Sequence, residues 1–126
     1  MVGGMTKKER LDAVLAEMMD AGNVYGSVIS SREGLLMASK IPPEVDDRII
    51  SSLFSSVAAA AETAFVEMGG GAVDRIVLSA KEGQVIIVPA GPKAVVGTIL
   101  RRGAPNLGLI LAGMESAAKK IDEIIG

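Results

Sequence analysis

The chain has 126 residues and a net charge of −2, a size that allows one domain with a sizeable core. It has no cysteine and no histidine, so disulfides, thiolate metal sites and histidine-activated nucleophiles are excluded. Basic residues number 13 against 15 acidic ones, and the aromatic residues are two phenylalanines and one tyrosine. The chain therefore has neither the cationic surface nor the stacking residues that nucleic-acid binding requires.

An amphipathic helix is the first predicted element, after a flexible N-terminus of residues 1–6. Thr6 and Glu9 have the spacing of a capping box, and the helix is expected to end by Gly22. Its apolar residues recur every three or four positions, which predicts a buried stripe of Leu11, Val14, Leu15 and Met18. The N-terminal letters lack the apolar run of a signal peptide, so we expect a cytoplasmic protein.

A β-hairpin is predicted next. Residues 24–30 and 35–40 flank the letters SREG, in which Gly34 can take the positive φ that a short turn requires. Pro42 and Pro43 follow and end the second strand, because proline cannot donate to a strand ladder.

The longest predicted helix covers residues 46–68 and has two unlike faces. Placing its residues every 100° gives a core-facing stripe of Ile50, Leu53, Phe54, Val57, Ala61, Ala64, Phe65 and Met68. The opposite face carries small, uncharged residues where a solvated helix normally displays charges: Ser52, Ser55, Ser56, Ala59 and Thr63. The uncharged run from Ile49 to Ala61 is shorter than the ~20 apolar residues of a membrane span, so we expect no membrane insertion.

Three further strands and a last helix complete the predicted fold. Residues 84–90 and 94–100 are almost continuously apolar, which is typical of central strands covered on both faces. Residues 73–80 mix apolar and polar side chains, which indicates an edge strand. The last helix, at about 107–125, carries an apolar stripe of Ile110, Met114, Ala117, Ile121 and Ile124. The order α-β-β-α-β-β-β-α within one domain of residues 7–126 predicts an α/β (α+β) fold.

Motifs that could carry chemistry have simpler structural interpretations. The glycines at 69–71 follow a helix and end it, whereas a phosphate-binding loop precedes a helix. Asp46 and Asp47 point about 100° apart and fit a helix start better than an acid–base pair. Arg101 and Arg102, after the last strand, fit either a solvated loop or a contact with a phosphate in a partner. We therefore expect no enzymatic activity, no metal site and no cofactor.

The letters GSVISSREGLLMAS at 26–39, AAAAE in the long helix and GQVIIVPAGPKAVVGTIL at 83–100 resemble the Roadblock/dynein light chain family. The resemblance extends over about residues 11–124 and rests on the spacing of these motifs taken together. It implies a five-stranded antiparallel sheet with the long helix on one face and the terminal helices on the other, close to the profilin-like and longin folds. It also implies a non-catalytic dimer that serves small Ras-like GTPases, since prokaryotic members often act as homodimers.

The resemblance further implies where this chain meets its partners, because in family dimers the third strand pairs with its copy and the long helices lie side by side. On the edge strand, the implied dimer interface is Asp74, Arg75, Ile76, Val77, Leu78 and Ser79. On the long helix, the implied contact with the sister subunit or the GTPase is Arg48, Ser52, Ser55, Ser56, Ala59 and Thr63. Small neutral side chains suit a contact because they allow close approach and bury no charge.

Two alternatives stay open at the level of sequence. The small-residue face of the long helix could meet the sister helix, meet the GTPase, or form an ordinary solvated surface. The second candidate function is small-molecule sensing, because related α/β sheets can enclose a ligand, but the assignable inward positions are apolar and offer no buried polar set. Scarce asparagine and glutamine, together with the absence of cysteine, favour a thermophilic source.

Overall fold

The computed structural model describes residues 4–20, 24–103 and 106–126, and within them the chain forms three helices and five strands. The helices are α1 (Lys7–Met19), α2 (Asp47–Met68) and α3 (Leu107–Ile125). The strands are β1 (Val24–Ser31), β2 (Leu36–Lys40), β3 (Ile76–Ser79), β4 (Gly83–Ala90) and β5 (Ala94–Arg101). The predicted order of elements is confirmed. Of the predicted flexible N-terminus, residues 1–3 lie outside the described residues, as does the predicted helix end at Gly22.

The five strands form one antiparallel sheet in the order β2-β1-β5-β4-β3. Because side chains alternate between the two faces of a strand, each strand can contribute to a core on either side. α1 and α3 cover one face, and α2 covers part of the other, so the predicted three-layer arrangement is confirmed. β4 and β5 are interior strands and β3 is an edge, as predicted, and β1 is interior as well.

Two apolar cores lie on the two faces of the sheet. The larger core contains every residue predicted for the buried stripes of α1 and α3: Leu11, Val14, Leu15, Met18, Ile110, Met114, Ala117, Ile121 and Ile124. The smaller core, under α2, is formed by Val28, Phe54, Ala58, Ile87 and Val95. Helices therefore cover the α1 and α3 face of the sheet more extensively than the α2 face.

Local hydrogen bonds and glycines fix the ends of the elements. The Glu9 N–H donates to Thr6 Oγ1 (3.1 Å) and the Thr6 N–H donates to Glu9 Oε1 (3.0 Å), which is the predicted capping box. The hydrogen bonds from the Thr6 backbone and side chain hold the pKa of the Glu9 carboxyl below its ordinary value. Asp46 caps the start of α2, and Gly69 ends it with a φ of 68°. Gly34 turns the β1–β2 hairpin with a φ of 93°, as predicted.

Within the described ranges, α2 is the one helix that is long and apolar enough, by length and composition, to cross a membrane. One side of it packs on the sheet, and its Ser55 hydroxyl hydrogen bonds to β1. α2 is therefore a helix of the packed domain, and its apolar character raises the question of what meets its outward surface.

Candidate interaction surfaces

α2 packs on the sheet through a side made mostly of small residues: Ser51, Phe54, Ser55 and Ala58. Phe54, the one large member, lies against Gly97 of β5, where an added Cβ would come within 2.1 Å of the ring. The small side chains around Phe54 let the helix backbone approach the sheet closely. Shape therefore positions α2 as much as hydrophobicity does.

This packing exposes half of the core stripe predicted for α2. Ile50, Val57 and Ala61 are partly buried. The prediction is wrong for four other residues, which are exposed: Leu53, Ala64, Phe65 and Met68. Leu53 is 53% and Met68 66% exposed. The most apolar side of a helix faces the core only when the domain itself supplies a surface to cover it, and here the domain does not.

Ser55 is buried against β1, although helical spacing predicts it on the outer, small-residue face. Its Oγ donates to the Ser31 carbonyl (2.6 Å) and lies 2.7 Å from Ser30 Oγ. The Ser30 Oγ also donates to the Ser51 carbonyl at 3.0 Å. Buried polar groups need such partners. Ser55 therefore anchors α2 to the sheet and is not part of an outer contact surface.

Arg32, in the β1–β2 turn, joins α2 to the sheet at a second point. Its Nη1 lies 2.5 Å from Glu62 Oε1 of α2, and its Nη2 donates to the Gly91 carbonyl in the β4–β5 turn (3.0 Å). The Arg32 N–H donates to the Lys93 carbonyl (3.0 Å). A planar guanidinium can make both side-chain bonds at once. Arg32 thus fixes the direction of the second half of α2.

The outward surface of α2 is uncharged over most of its length. Four small residues on it are exposed, as predicted, and are here called the neutral stripe: Ser52, Ser56, Ala59 and Thr63. Beside them lies a second exposed row, here called the apolar flank: Leu53, Ala60, Ala64 and Met68. The exposed charged residues are Arg48 near the start of the helix and Glu67 near its end. The outer surface of a solvated helix normally displays more charged residues than this.

The neutral stripe and the apolar flank point to different sides of the domain. Gly34 in the β1–β2 turn lies against the stripe, since a Cβ on Gly34 would lie 3.2 Å from Ser52 Cα. On the other side of the helix, Ile50 and Val57 pack against the α2-side core, and Phe54 contacts Gly97 of β5, which lies between β1 and the β3 edge. The flank continues this second side outward. The stripe therefore borders the β1–β2 turn, and the flank faces towards β3.

β3 is an open edge of the sheet and is shorter than predicted. It covers Ile76–Ser79 in place of residues 73–80. Asp74 and Arg75, which were predicted as interface residues on this strand, precede it. Arg75 Nη1 lies 3.1 Å from Glu115 Oε1 of α3. The residues just before β3 therefore contact α3 through this pair, and the ladder with β4 begins at Ile76.

The side chains of β3 divide between the two faces of the sheet. Ile76 and Leu78 lie on the α2 side, whereas Val77 lies on the side of α1 and α3. Val77 is 48% and Leu78 44% exposed, and Ser79 is also exposed. Exposed apolar residues on an unpaired edge favour pairing with another strand. The structure thus places these predicted interface residues on the side of the domain that the apolar flank faces.

The structure contains a buried polar set that the sequence interpretation missed: Ser27, Ser30, Ser51, Ser55 and Thr98. Ser27 Oγ and Thr98 Oγ1 lie 3.3 Å apart, so most of these hydroxyl groups bond to one another. Ser51 Oγ is buried without a hydrogen-bond partner among the residues described. Among the residues that the structure describes, no three acidic side chains lie close enough together to hold a metal ion. Serine pairs leave little signal in a sequence, because serine is equally common on surfaces.

The family profile of the Roadblock/LC7 domain matches residues 10–100 of the chain. Two curated relatives come from Methanocaldococcus jannaschii, the uncharacterized proteins MJ1340 and MJ0310. Each is 32% identical over 111 residues, which is 88% of this chain and 96% of the relative.

Solved structures share the fold. Myxococcus xanthus MglB superposes with a TM-score of 0.86 at 17% identity, covering 99% of this chain and 94% of MglB. An MglB with a tetrameric arrangement gives 0.84 at 21% identity, covering 98% and 93%. Acanthamoeba castellanii profilin II gives 0.56 at 16% identity, covering 87% and 94%, so the Roadblock-like, profilin-like architecture is confirmed. The profile match, together with two relatives that are similar along most of their length, shows that the chain belongs to the Roadblock/LC7 domain family.

Proposed function

We propose that this chain is a non-catalytic, homodimeric interaction module that regulates or scaffolds a small Ras-like GTPase in the cytoplasm. Membership of the Roadblock/LC7 family supports the proposal, because the resemblance implies dimeric platforms for such GTPases. The observation that carries it is the uncharged outer surface of α2 beside the open strand β3. The chain also lacks the histidine and cysteine on which most nucleophilic catalysis depends.

We assign β3 and the apolar flank to the contact with the sister subunit. Pairing β3 with its copy would satisfy the unpaired backbone groups of the edge and cover Val77 and Leu78. Leu53 and Met68 of the flank lie on the side of α2 that faces β3, so a sister helix could bury them in the same interface. Full burial of one such side chain contributes about 1.5–3 kcal/mol.

We assign the neutral stripe to the contact with the GTPase. Because the stripe lies nearer to the β1–β2 turn than the flank does, the stripe would stay accessible when the flank is covered. Its small side chains allow the backbone of a partner to approach, and its neutrality avoids burying a charge. Arg48, exposed near the start of the stripe, offers a guanidinium to an acidic partner.

The variant Ala59→Arg tests this assignment. A bulky charge in a desolvated contact should weaken binding of a candidate Ras-like GTPase, loaded with GTP or with GDP, by about tenfold or more. The dimer mass should not change, because the stripe faces away from the sister subunit. Titration calorimetry measures the binding, and light scattering measures the mass. Ala13→Arg, at an exposed position of α1 on the other face of the sheet, is the matched control and should change neither.

The possible outcomes separate the two assignments. Unchanged GTPase binding by Ala59→Arg would contradict the proposed contact between the stripe and the GTPase. Loss of the dimer in this variant would show that the stripe lies in the dimer interface. Substitution at an exposed helix position changes the free energy of unfolding by within about 0.5 kcal/mol. Equal melting temperatures for both variants would therefore show that any loss of binding does not come from unfolding.

A further inference from the structure

Two aliphatic side chains lie at the two ends of the neutral stripe. Val66 is 75% and Leu35 69% exposed, the highest values among the large apolar side chains of the described residues. Neither belongs to the apolar flank or to β3, which the proposed dimer covers. One exposed aliphatic residue on a surface is ordinary, but two that bracket a single uncharged surface form a pattern that marks a contact.

Val66 lies near the end of α2, on the same side as the stripe. It follows Ser52 by 14 positions and Ala59 by seven, so the three residues lie nearly on one line along the helix. At a rise of about 1.5 Å per residue, Ser52 and Val66 are about 21 Å apart along the helix axis. A β-branched side chain has one strongly preferred χ1 rotamer in a helix, so Val66 loses little freedom when a partner covers it.

Leu35 lies at the other end of the stripe, in the β1–β2 turn. Its backbone N–H donates to Ser31 Oγ (3.0 Å), and the Ser31 N–H donates to the Leu35 carbonyl (2.9 Å). The turn is seated against the stripe, because a Cβ on Gly34 would lie 3.2 Å from Ser52 Cα. The backbone of Leu35 is therefore fixed while most of its side chain faces solvent. Groups that are fixed before binding lose less entropy when they bind.

The proposed dimer leaves both residues uncovered. In the strand order β2-β1-β5-β4-β3, the β1–β2 turn joins the two strands farthest from β3. A sister subunit that pairs along β3 and packs on the apolar flank therefore approaches from the opposite end of the sheet. The surface between Leu35 and Val66 is continuous with the neutral stripe, so its occupant is the molecule that meets the stripe.

We propose that Leu35 and Val66 are the two apolar anchors of the GTPase contact, each inserted into a recess of the GTPase surface. This inference rests on the proposed function and adds the shape of the partner. The GTPase would present two apolar recesses on the order of 20 Å apart, joined by a flat, uncharged strip that meets the small residues of the stripe. Such a contact gains its affinity mainly from buried apolar area.

Truncation of each anchor tests the inference with a Ras-like GTPase that binds the wild-type protein. Leu35→Ala and Val66→Ala should each weaken binding about tenfold in titration calorimetry, because alanine removes most of the apolar surface that the partner covers. The double variant should weaken binding about a hundredfold, since sites this far apart contribute independently. Leu109→Ala is the matched control: Leu109 is 57% exposed in α3, on the other face of the sheet, and its truncation should leave the affinity unchanged.

The outcomes separate this inference from the function on which it rests. If Ala59→Arg abolished GTPase binding while both alanine variants bound as the wild type does, the anchors would be wrong and the GTPase contact would remain supported. A change of dimer mass in Leu35→Ala or Val66→Ala, at an unchanged melting temperature, would place that residue in the dimer interface and also contradict the anchors. A wild-type protein that bound no Ras-like GTPase would contradict the proposed function itself, and the anchors with it.

Discussion

Phe54 and Gly97 form the contact that places α2 on the sheet. Glycine inside a strand normally weakens it, because glycine has no side chain to pack. At position 97 the missing side chain leaves the space that the Phe54 ring occupies. A single residue in β5 therefore determines how closely the helix approaches, and with it which residues of α2 remain outside.

Gly97→Ala should destabilise the fold by about 1–3 kcal/mol, because the added methyl overpacks the contact with Phe54. Urea unfolding followed by circular dichroism measures the loss. Gly108→Ala is the control: nothing lies within 4 Å of a Cβ there, and the substitution in α3 should stabilise the helix by up to about 1 kcal/mol. Equal stability of Gly97→Ala and the wild type would contradict the described seating of α2.

Ser55 and Ser56 are neighbours with opposite roles. Ser55→Ala removes the hydroxyl that bonds to β1 and should cost about 1–3 kcal/mol, because buried partners lose their hydrogen bond. Ser56→Ala lies on the neutral stripe and should change stability by within about 0.5 kcal/mol. Chemical denaturation of the two variants compares them directly. If Ser56→Ala were the more damaging substitution, the helix would be rotated relative to this description.

Periodicity predicts the buried sides of α1 and α3 correctly, because each helix has one apolar stripe that its own domain covers. It fails for α2, where two apolar arcs compete. The arc that contains Phe54 and Ala58 meets the sheet, and the arc that contains Leu53 and Met68 does not. Helical spacing alone does not show which of the two arcs packs against the sheet, since both arcs satisfy the same spacing.

At the scale of elements, β3 is the strand most open to pairing. It lies at the edge of the sheet beyond β4, and α2 packs over β1, β2, β5 and β4. The other edge strand, β2, is protected differently: it ends in Lys40 and is followed by Pro42 and Pro43, which discourage edge-to-edge pairing. The sheet therefore offers β3 as the edge for pairing.

Proline substitution tests the role of β3. Successive backbone N–H groups point to opposite sides of a strand, so one of Val77 and Leu78 donates outward from the edge. Of Val77→Pro and Leu78→Pro, at least that one should give a folded monomer, because proline removes the donor and blocks strand pairing. Light scattering reads the mass and circular dichroism reads the fold. If both variants were folded and dimeric, β3 would not be part of the dimer interface.

The order and type of the elements could be predicted from the sequence, and most strand ends agree within one residue. β3 is the exception: the residues before it look like strand, but the ladder with β4 begins at Ile76 and Arg75 pairs with Glu115 of α3. An ion pair between segments 40 residues apart leaves no local pattern. The role of Arg32 was missed for the same reason. The sequence alone places it in a turn, whereas in the structure its side chain connects α2 with the β4–β5 turn.

For the whole molecule, the uneven covering of the sheet is the feature that matters most. Two helices cover one face, and α2 covers only part of the other. Among the described residues, most of the exposed large apolar side chains lie on α2 and β3: Ile49, Leu53, Phe65, Val66, Met68, Val77 and Leu78. A soluble monomer rarely leaves such a surface open. The architecture could be predicted from the sequence, but this concentration appears only once the chain is folded.

The mass of the wild-type protein in solution, measured by multi-angle light scattering at micromolar concentration beside Leu53→Glu, tests the proposed homodimer most directly. The wild type should have twice the 12.9 kDa mass of one chain. Leu53→Glu should be a folded monomer, because it places a charge in the apolar flank where the sister helix is expected. A wild-type protein with the mass of a single chain would contradict the proposal.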